Sequence, residues 1–117
     1  MTKVKSSLAI RGNNGQVVAH LLDGVTLHKE IQGSKHLLRK PPAIAFDKSA
    51  VDVADAYGAM AITVLDKETG TVYWVEMHAF EEKAIMIDRG HGEQYALPMQ
   101  YWQVREKTTQ GEVDGYY

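Results

Sequence analysis

The chain has 117 residues, contains no cysteine and carries a formal net charge of −2. This length fits one domain, and 44% hydrophobic with 24% charged residues is typical of a globular protein rather than a disordered one. The lack of cysteine excludes disulfides, thiolate metal sites and thiol catalysis. No apolar run approaches the roughly 20 residues that cross a bilayer, and the N-terminal segment lacks the apolar stretch of a signal peptide. We therefore expect a cytoplasmic protein without a membrane segment.

Charge is distributed unevenly along the chain. The first 48 residues carry eight basic and three acidic side chains, whereas the other 69 carry five basic and twelve acidic ones. Such a division is typical of a face that binds nucleic acid or an acidic protein. The two halves can equally neutralise each other within one sheet, so the pattern alone does not identify a partner.

The first part of the chain predicts a strand at 7–11 and then a hairpin. Two apolar segments, 16–22 and 25–31, flank Asp23-Gly24. This dipeptide is typical of a two-residue type I′ turn, because both of its residues tolerate positive φ.

The register of this hairpin decides which side chains share a face. A two-residue turn sets Leu22 opposite Val25, which predicts that His20 and His28 point to opposite faces of the sheet. The face predicted to be buried carries Val18, His20, Leu22, Val25 and Leu27.

A short strand at 43–46 is predicted to lead into the main helix at 48–57. Asp47 is a favourable N-cap residue, and Gly58 suits the left-handed position that ends a helix. Apolar residues at helical spacing predict one buried stripe, formed by Ala50, Val53, Ala54 and Tyr57.

The second hairpin is predicted from segments 59–65 and 71–77 around the loop 67–70. Pairing Asp66 with Thr71 gives one wholly apolar face, which must be buried: Met60, Ile62, Val64, Tyr73, Val75 and Met77.

The remaining segments predict one helical turn at 78–83, a strand at 84–88, a loop at 89–94 and closing strands at 95–99 and 101–104. Together these elements predict an α+β fold, in which one main helix packs on an antiparallel β-sheet of hairpins. We expect a single domain over 1–104, followed by a disordered polar tail over 105–117.

Two loops are candidate sites for an anionic partner. The connection after the first hairpin holds a basic cluster of Lys35, His36, Arg39 and Lys40, which is suited to phosphate. In the loop 88–94, two glycines flank His91 beside Arg89, a composition that can form an anion-binding nest or simply a tight turn. An exposed Trp74 would add a surface on which bases can stack.

The same loop offers an alternative metal site. Asp88, His91 and Glu93 supply oxygen and nitrogen ligands suited to a divalent ion, but their spacing matches no established motif. We otherwise predict no metal and no cofactor.

Three functions follow from these features. The first is a non-enzymatic binding module that recognises nucleic acid or an acidic protein surface. The second is a metal-dependent hydrolase centred on the loop 88–94. The third is an oligomeric structural protein, such as a homodimer, that associates through the hairpin face around Val72 and Trp74.

Overall fold

The computed structural model of the protein describes residues 7–33, 38 and 40–107. Nine strands and two helices lie within these ranges. The strands are β1 (Ser7–Arg11), β2 (Val17–Leu22), β3 (Thr26–Ile31), β4 (Ala43–Asp47), β5 (Ala61–Asp66), β6 (Thr71–Glu76), β7 (Ile85–Asp88), β8 (Glu93–Pro98) and β9 (Gln103–Lys107). The helices are α1 (Lys48–Ala56) and α2 (Met77–Lys83), and a 3₁₀ turn at Met99–Tyr101 precedes β9.

The strands form two sheets. The larger sheet has six strands in the order β1-β2-β3-β5-β6-β9, and the smaller sheet has three in the order β4-β8-β7. All neighbouring pairs are antiparallel except β3 and β5, which are parallel and join the two predicted hairpins. The predicted α+β class, with antiparallel hairpins and one main helix, is confirmed. The small sheet and the parallel pair were not predicted.

The main core lies between one face of the large sheet, here called the inner face, and a layer formed by both helices and the small sheet. Its centre is aromatic: the Phe80 ring lies 5.9 Å from that of Phe46 and 6.2 Å from that of Trp102, measured between centroids. Trp102 is buried, and its indole N–H donates to the Leu97 carbonyl at 3.0 Å, so its polar atom is satisfied. The inner face contributes the buried residues Ile10, Ala19, Leu21, Leu27, Ile62, Val64 and Val75.

The β2–β3 hairpin differs from its predicted register by one residue. Leu22 pairs with Thr26 and not with Val25, although Asp23 and Gly24 turn the chain with positive φ values of 52° and 74° as expected. The Val25 carbonyl instead accepts a hydrogen bond of 2.7 Å from the Met60 amide just before β5. The Val25 amide donates to the Leu22 carbonyl at 3.0 Å, so Val25 belongs to the turn and its carbonyl connects the turn with the second hairpin.

This one-residue shift exchanges the faces of β2. Ala19 and Leu21 are buried on the inner face, whereas His20 and Leu22, predicted to be in the core, lie on the opposite, outer face. The prediction that His20 and His28 point to opposite faces is also wrong, because the two residues are direct partners across β2 and β3.

The β5–β6 hairpin has the predicted register. Asp66 pairs with Thr71, and the loop closes at Gly70 with a φ of 77°. The apolar face is buried as predicted at Ile62, Val64, Val75 and Met77. Tyr73 is only partly buried, and Met60, which precedes β5, has a side chain that is 69% exposed.

Helix α1 begins after Asp47 and ends near Gly58, whose φ of 87° suits glycine, as predicted. Its buried stripe, however, consists of Ala50, Val51 and Ala54, while Val53 and Tyr57 are exposed. The helix packs against β1 and β2 on one side and against β4 and β8 on the other, and this placement turns Val51 inward.

The C-terminal half of the described chain contains more strand than predicted. Glu93 and Gln94 belong to β8, so the loop between β7 and β8 shortens to residues 89–92. Strand β9 continues to Lys107, beyond Val104, because it pairs with β6 at the edge of the large sheet. Within the described part of the chain, no helix is long and apolar enough to cross a membrane.

Candidate binding surface

A line of four side chains crosses the outer face of the large sheet. His20 pairs with His28, His28 with Thr63, and Thr63 with Trp74, on strands β2, β3, β5 and β6. Partners in register share a face, and the alternate residues Leu27, Ile62 and Val75 are buried on the inner face. At about 4.8 Å between strands, this histidine–tryptophan row extends about 14 Å.

His28 is the most constrained member of the row. Its Nδ1 lies 2.7 Å from the Thr63 hydroxyl, and its Nε2 lies 3.9 Å from a carboxylate oxygen of Glu30. The other oxygen of Glu30 lies 3.8 Å from the Lys67 ammonium group. Burial lowers the pKa of His28; the Glu30 carboxylate opposes this shift and His20 reinforces it. A shallow cavity of about 220 Å³ is lined by His20, His28 and Glu30.

Trp74 ends the row with an aromatic surface beside a cation. Its side chain is half-buried, and the Arg105 guanidinium lies 5.3 Å from the ring centroid. At this distance the guanidinium is attracted to the face of the indole ring. Trp74 also lines an open groove of about 530 Å³, whose acidic lining includes Asp55, Glu76 and Glu81.

The predicted loop around His91 is anchored within the molecule. The side-chain amide of Asn13 donates to the His91 carbonyl at 3.3 Å and to the Glu93 carbonyl at 2.8 Å. The Gly90 amide donates to the Asp88 carboxylate at 2.8 Å. Gly90 and Gly92 both have a φ of 97°, so the glycines meet a backbone requirement of the turn. Side chains of Arg89 and His91 remain exposed.

Asp47 extends this anchoring to the start of α1. One of its carboxylate oxygens accepts from the backbone N–H of Asn13 at 2.9 Å, and the other accepts from the Gln94 side chain at 2.8 Å. The carboxylate therefore makes no capping bond to α1. It ties the β1–β2 turn to β8, and we name Asn13, Asp47, Gln94 and the loop 89–92 the Asp47 junction.

The sequence-predicted site residues do not all meet on the described surface. Lys35, His36 and Arg39 lie outside the described residues, and Lys40 is exposed. Arg89 and His91 lie at the tip of the small sheet, whereas Trp74 lies on the outer face of the large one. Trp74 was predicted from the sequence. The two histidines on the same row were not, because the predicted register separated them.

The alternative metal site is not assembled. Among residues 7–33, 38 and 40–107, no three side chains of His, Asp or Glu are grouped so that they could hold a metal ion. Asp88, His91 and Glu93 are therefore not brought together as a set of ligands. The Asp88 carboxylate is used by the turn itself, as the acceptor for Gly90.

An acidic groove lies between α1 and α2. Asp52, Asp55 and Glu81 line a cavity of about 320 Å³. Burial, a hydrogen bond with Asp55 and the negative charge of Asp55 raise the pKa of Glu81. Lys48 balances part of this charge, since its ammonium lies 2.7 Å from the Asp52 carboxylate.

No protein-family model, curated protein or solved structure matches this chain. The candidate site is therefore identified from the residues of this chain alone. Of the surfaces described, only the histidine–tryptophan row combines an aromatic ring, a neighbouring cation and two imidazoles on one exposed face.

Proposed function

We propose that this protein is a non-enzymatic binding module that holds an anionic partner, single-stranded nucleic acid, on the outer face of its six-stranded sheet. The observation that supports this most directly is the placement of Arg105 over Trp74, at the end of a row that also carries His28 and His20. Trp74 was already a candidate in the sequence. The fold adds Arg105 beside it and the two histidines further along the row.

The Trp74 ring supports a nucleic-acid partner because bases can stack on it. An exposed sheet face that carries aromatic side chains is a recurrent platform for single-stranded RNA, on which two or three bases stack. The ring of Trp74 is held by the sheet, so little side-chain entropy is lost when a base packs on it. Each stacked base contributes about 1–3 kcal/mol and requires no particular sequence.

The positive charge of Arg105 also supports an anionic partner. Arg105 lies close enough to Trp74 to contact the phosphate of a nucleotide whose base is stacked there. His20 and His28 offer hydrogen-bond donors and acceptors about 10–14 Å further along the row. Because few cations contribute and the groove that Trp74 lines is acidic, we expect binding of low to moderate affinity with a shallow dependence on salt.

The proposal is tested by titrating labelled single-stranded oligonucleotides of mixed sequence and following their anisotropy. Trp74→Ala should weaken binding about 5–150-fold, the equivalent of one stacked base. Arg105→Ala should weaken binding several-fold and reduce the slope of log affinity against log salt by about 0.7, the value for one phosphate contact.

A second cation–aromatic pair supplies matched controls. Lys83 lies 5.8 Å from the ring centroid of Tyr101, away from the row. Lys83→Ala and Tyr101→Ala should leave the affinity unchanged. Failure of the wild-type chain to bind any oligonucleotide, or equal binding by Trp74→Ala, would contradict the proposal.

Self-association is a second candidate function of the same face. Leu65 and Val72 are partners on the outer face beside Trp74, and both are half-buried. Such apolar residues would favour a second copy of the chain as the partner. Sedimentation that finds only monomer at high protein concentration would exclude this candidate and leave the nucleic-acid proposal intact.

A further inference from the structure

We infer that His20 and His28 form a two-imidazole site for a divalent transition-metal ion such as Zn²⁺ on the outer face of the sheet. This inference does not depend on the proposed nucleic-acid partner. It rests on the cross-strand pairing of the two histidines, on the contact between His28 and Thr63, and on the cavity that both imidazoles line.

The pairing places the two rings within reach of one ion. Cβ atoms of direct antiparallel partners lie about 4.5–5.5 Å apart. Two imidazole nitrogens bound tetrahedrally to zinc at about 2.0–2.1 Å lie about 3.3 Å from each other. The His28 ring is half-buried, while His20 is exposed and can rotate towards it. The neighbouring rings can therefore converge without a change in the backbone.

Thr63 is a positioning residue for this site. Its hydroxyl lies 2.7 Å from Nδ1 of His28, which leaves Nε2 as the coordinating atom. Histidines that bind metals generally donate their second ring N–H to a nearby acceptor, and this bond fixes the tautomer and the ring orientation. The Thr63 oxygen can accept such a bond when His28 coordinates a metal through Nε2.

The donor set selects the class of ion. Imidazole nitrogen suits zinc, copper and nickel, whereas magnesium and calcium require mainly oxygen ligands. Two histidines leave coordination positions for water. The Glu30 carboxylate, 3.9 Å from Nε2 of His28, is placed to accept a hydrogen bond from a metal-bound water.

The test is a calorimetric titration of the full chain with zinc chloride, repeated with nickel chloride, in the absence of nucleic acid. The wild-type chain should bind one ion at this site. His20→Ala should abolish that binding event, and because His20 is exposed this variant should fold normally. Thr63→Val should weaken binding about tenfold, and Thr63→Ser, which keeps the hydroxyl, should restore it.

Nitrogen-15 spectra of the imidazoles in the wild-type chain provide a readout that needs no variant. Zinc should shift the ring signals of His20 and His28. His78→Ala and His91→Ala remove imidazoles elsewhere on the molecule and should not change the affinity. Unchanged zinc affinity in His20→Ala, or zinc-induced shifts confined to other histidines, would overturn the inference.

Discussion

The Asp47 junction and the histidine–tryptophan row both carry polar side chains but use them differently. At the junction, Asp47 accepts two hydrogen bonds from distant parts of the chain, and Asn13 donates two more. On the row, Trp74 and His28 are only half-buried, and His20 faces outward. Polar groups that are satisfied within the molecule hold the fold together, whereas those that face outward remain available to a partner.

This difference revises the functional interpretation of the glycine-rich loop. In the sequence, the glycines around His91 were as consistent with an anion-binding nest as with a turn. In the structure, the Gly90 amide already donates to Asp88, and the loop carbonyls accept from Asn13. The loop therefore contributes to stability, and the outer face is the better candidate for function.

The largest effect in this comparison is expected from Asp47→Ala. The change removes both carboxylate oxygens that accept hydrogen bonds at the junction. The backbone N–H of Asn13 and the side chain of Gln94 then lose their partner. We expect the free energy of unfolding to fall by about 3–4 kcal/mol, because each of the two hydrogen bonds to the charged carboxylate contributes about 1.5–2 kcal/mol. Urea unfolding followed by circular dichroism measures this loss.

Asp52→Ala is the matched control for that prediction. Asp52 is exposed on α1 and pairs with Lys48 four residues before it, so its removal should cost less than about 0.5 kcal/mol. Equal losses in the two variants would show that the junction does not stabilise the fold more than a surface ion pair does.

The two glycines of the loop give a sharper comparison, because both have a φ of 97°. A Cβ added at Gly90 meets no atom within 4 Å, whereas one added at Gly92 would lie 2.7 Å from the side-chain nitrogen of Asn13. Gly90→Ala should therefore cost about 1–2 kcal/mol for its backbone conformation alone. Gly92→Ala should cost about 1 kcal/mol more, because it also displaces Asn13.

Thermal unfolding of both alanine variants measures this difference directly. An Asn13→Gly background supplies the control, since the additional cost at Gly92 should disappear once the whole side chain of Asn13 is absent, including its Cβ at 2.9 Å. Equal destabilisation by the two glycine substitutions in the wild-type background would contradict the role given to Asn13.

The smallest effect is expected in the acidic groove between the helices. The pKa of Glu81 is raised above its ordinary value of 4.5, so the folded state holds this proton more tightly than the unfolded state does. As the pH rises through the raised pKa of Glu81, ionisation of this carboxyl beside Asp55 reduces the stability of the fold. Glu81→Gln should therefore be more stable than the wild type at pH 7, by less than about 1 kcal/mol because the group is exposed.

The advantage of Glu81→Gln should shrink as the pH falls below 4.5, where the wild-type carboxyl is protonated in both states. Urea unfolding at pH 7 and near pH 4 provides the comparison. Glu82→Gln makes the same change in net charge on the next residue of α2 and controls for general charge effects. A wild type more stable than Glu81→Gln at pH 7 would contradict the prediction.

The two hairpins show what the sequence could reveal about the fold. On β5 and β6, one face is wholly apolar and the other is mixed, so the alternation identifies the buried face. On β2, apolar residues occupy both faces: Val18 and Leu22 on one side, Ala19 and Leu21 on the other. Alternation cannot choose between them, and the turn dipeptide favoured the wrong register.

The first hairpin makes a contact with a residue far away in the sequence. The Val25 carbonyl accepts from Met60, a residue that no local signal connects with the turn. The Asp47 junction also depends on distant residues, since Asn13 and His91, which it joins, are 78 positions apart. Trp74 was predicted as a binding residue from its own chemistry, whereas a prediction of the other residues on the row would require the order of the strands.

The parallel pairing of β3 with β5 has a consequence for any attempt to isolate the binding surface. Ile31 and Asp66 are paired although they are 35 positions apart along the chain, whereas Asp66 and Thr71 are only five apart. Closing the longer loop costs roughly 1.7 kcal/mol more in chain entropy. His20 and His28 belong to one hairpin, and Thr63 and Trp74 to the other. A peptide fragment that contains either hairpin alone therefore carries half of the row. The complete surface exists only where β3 and β5 are paired.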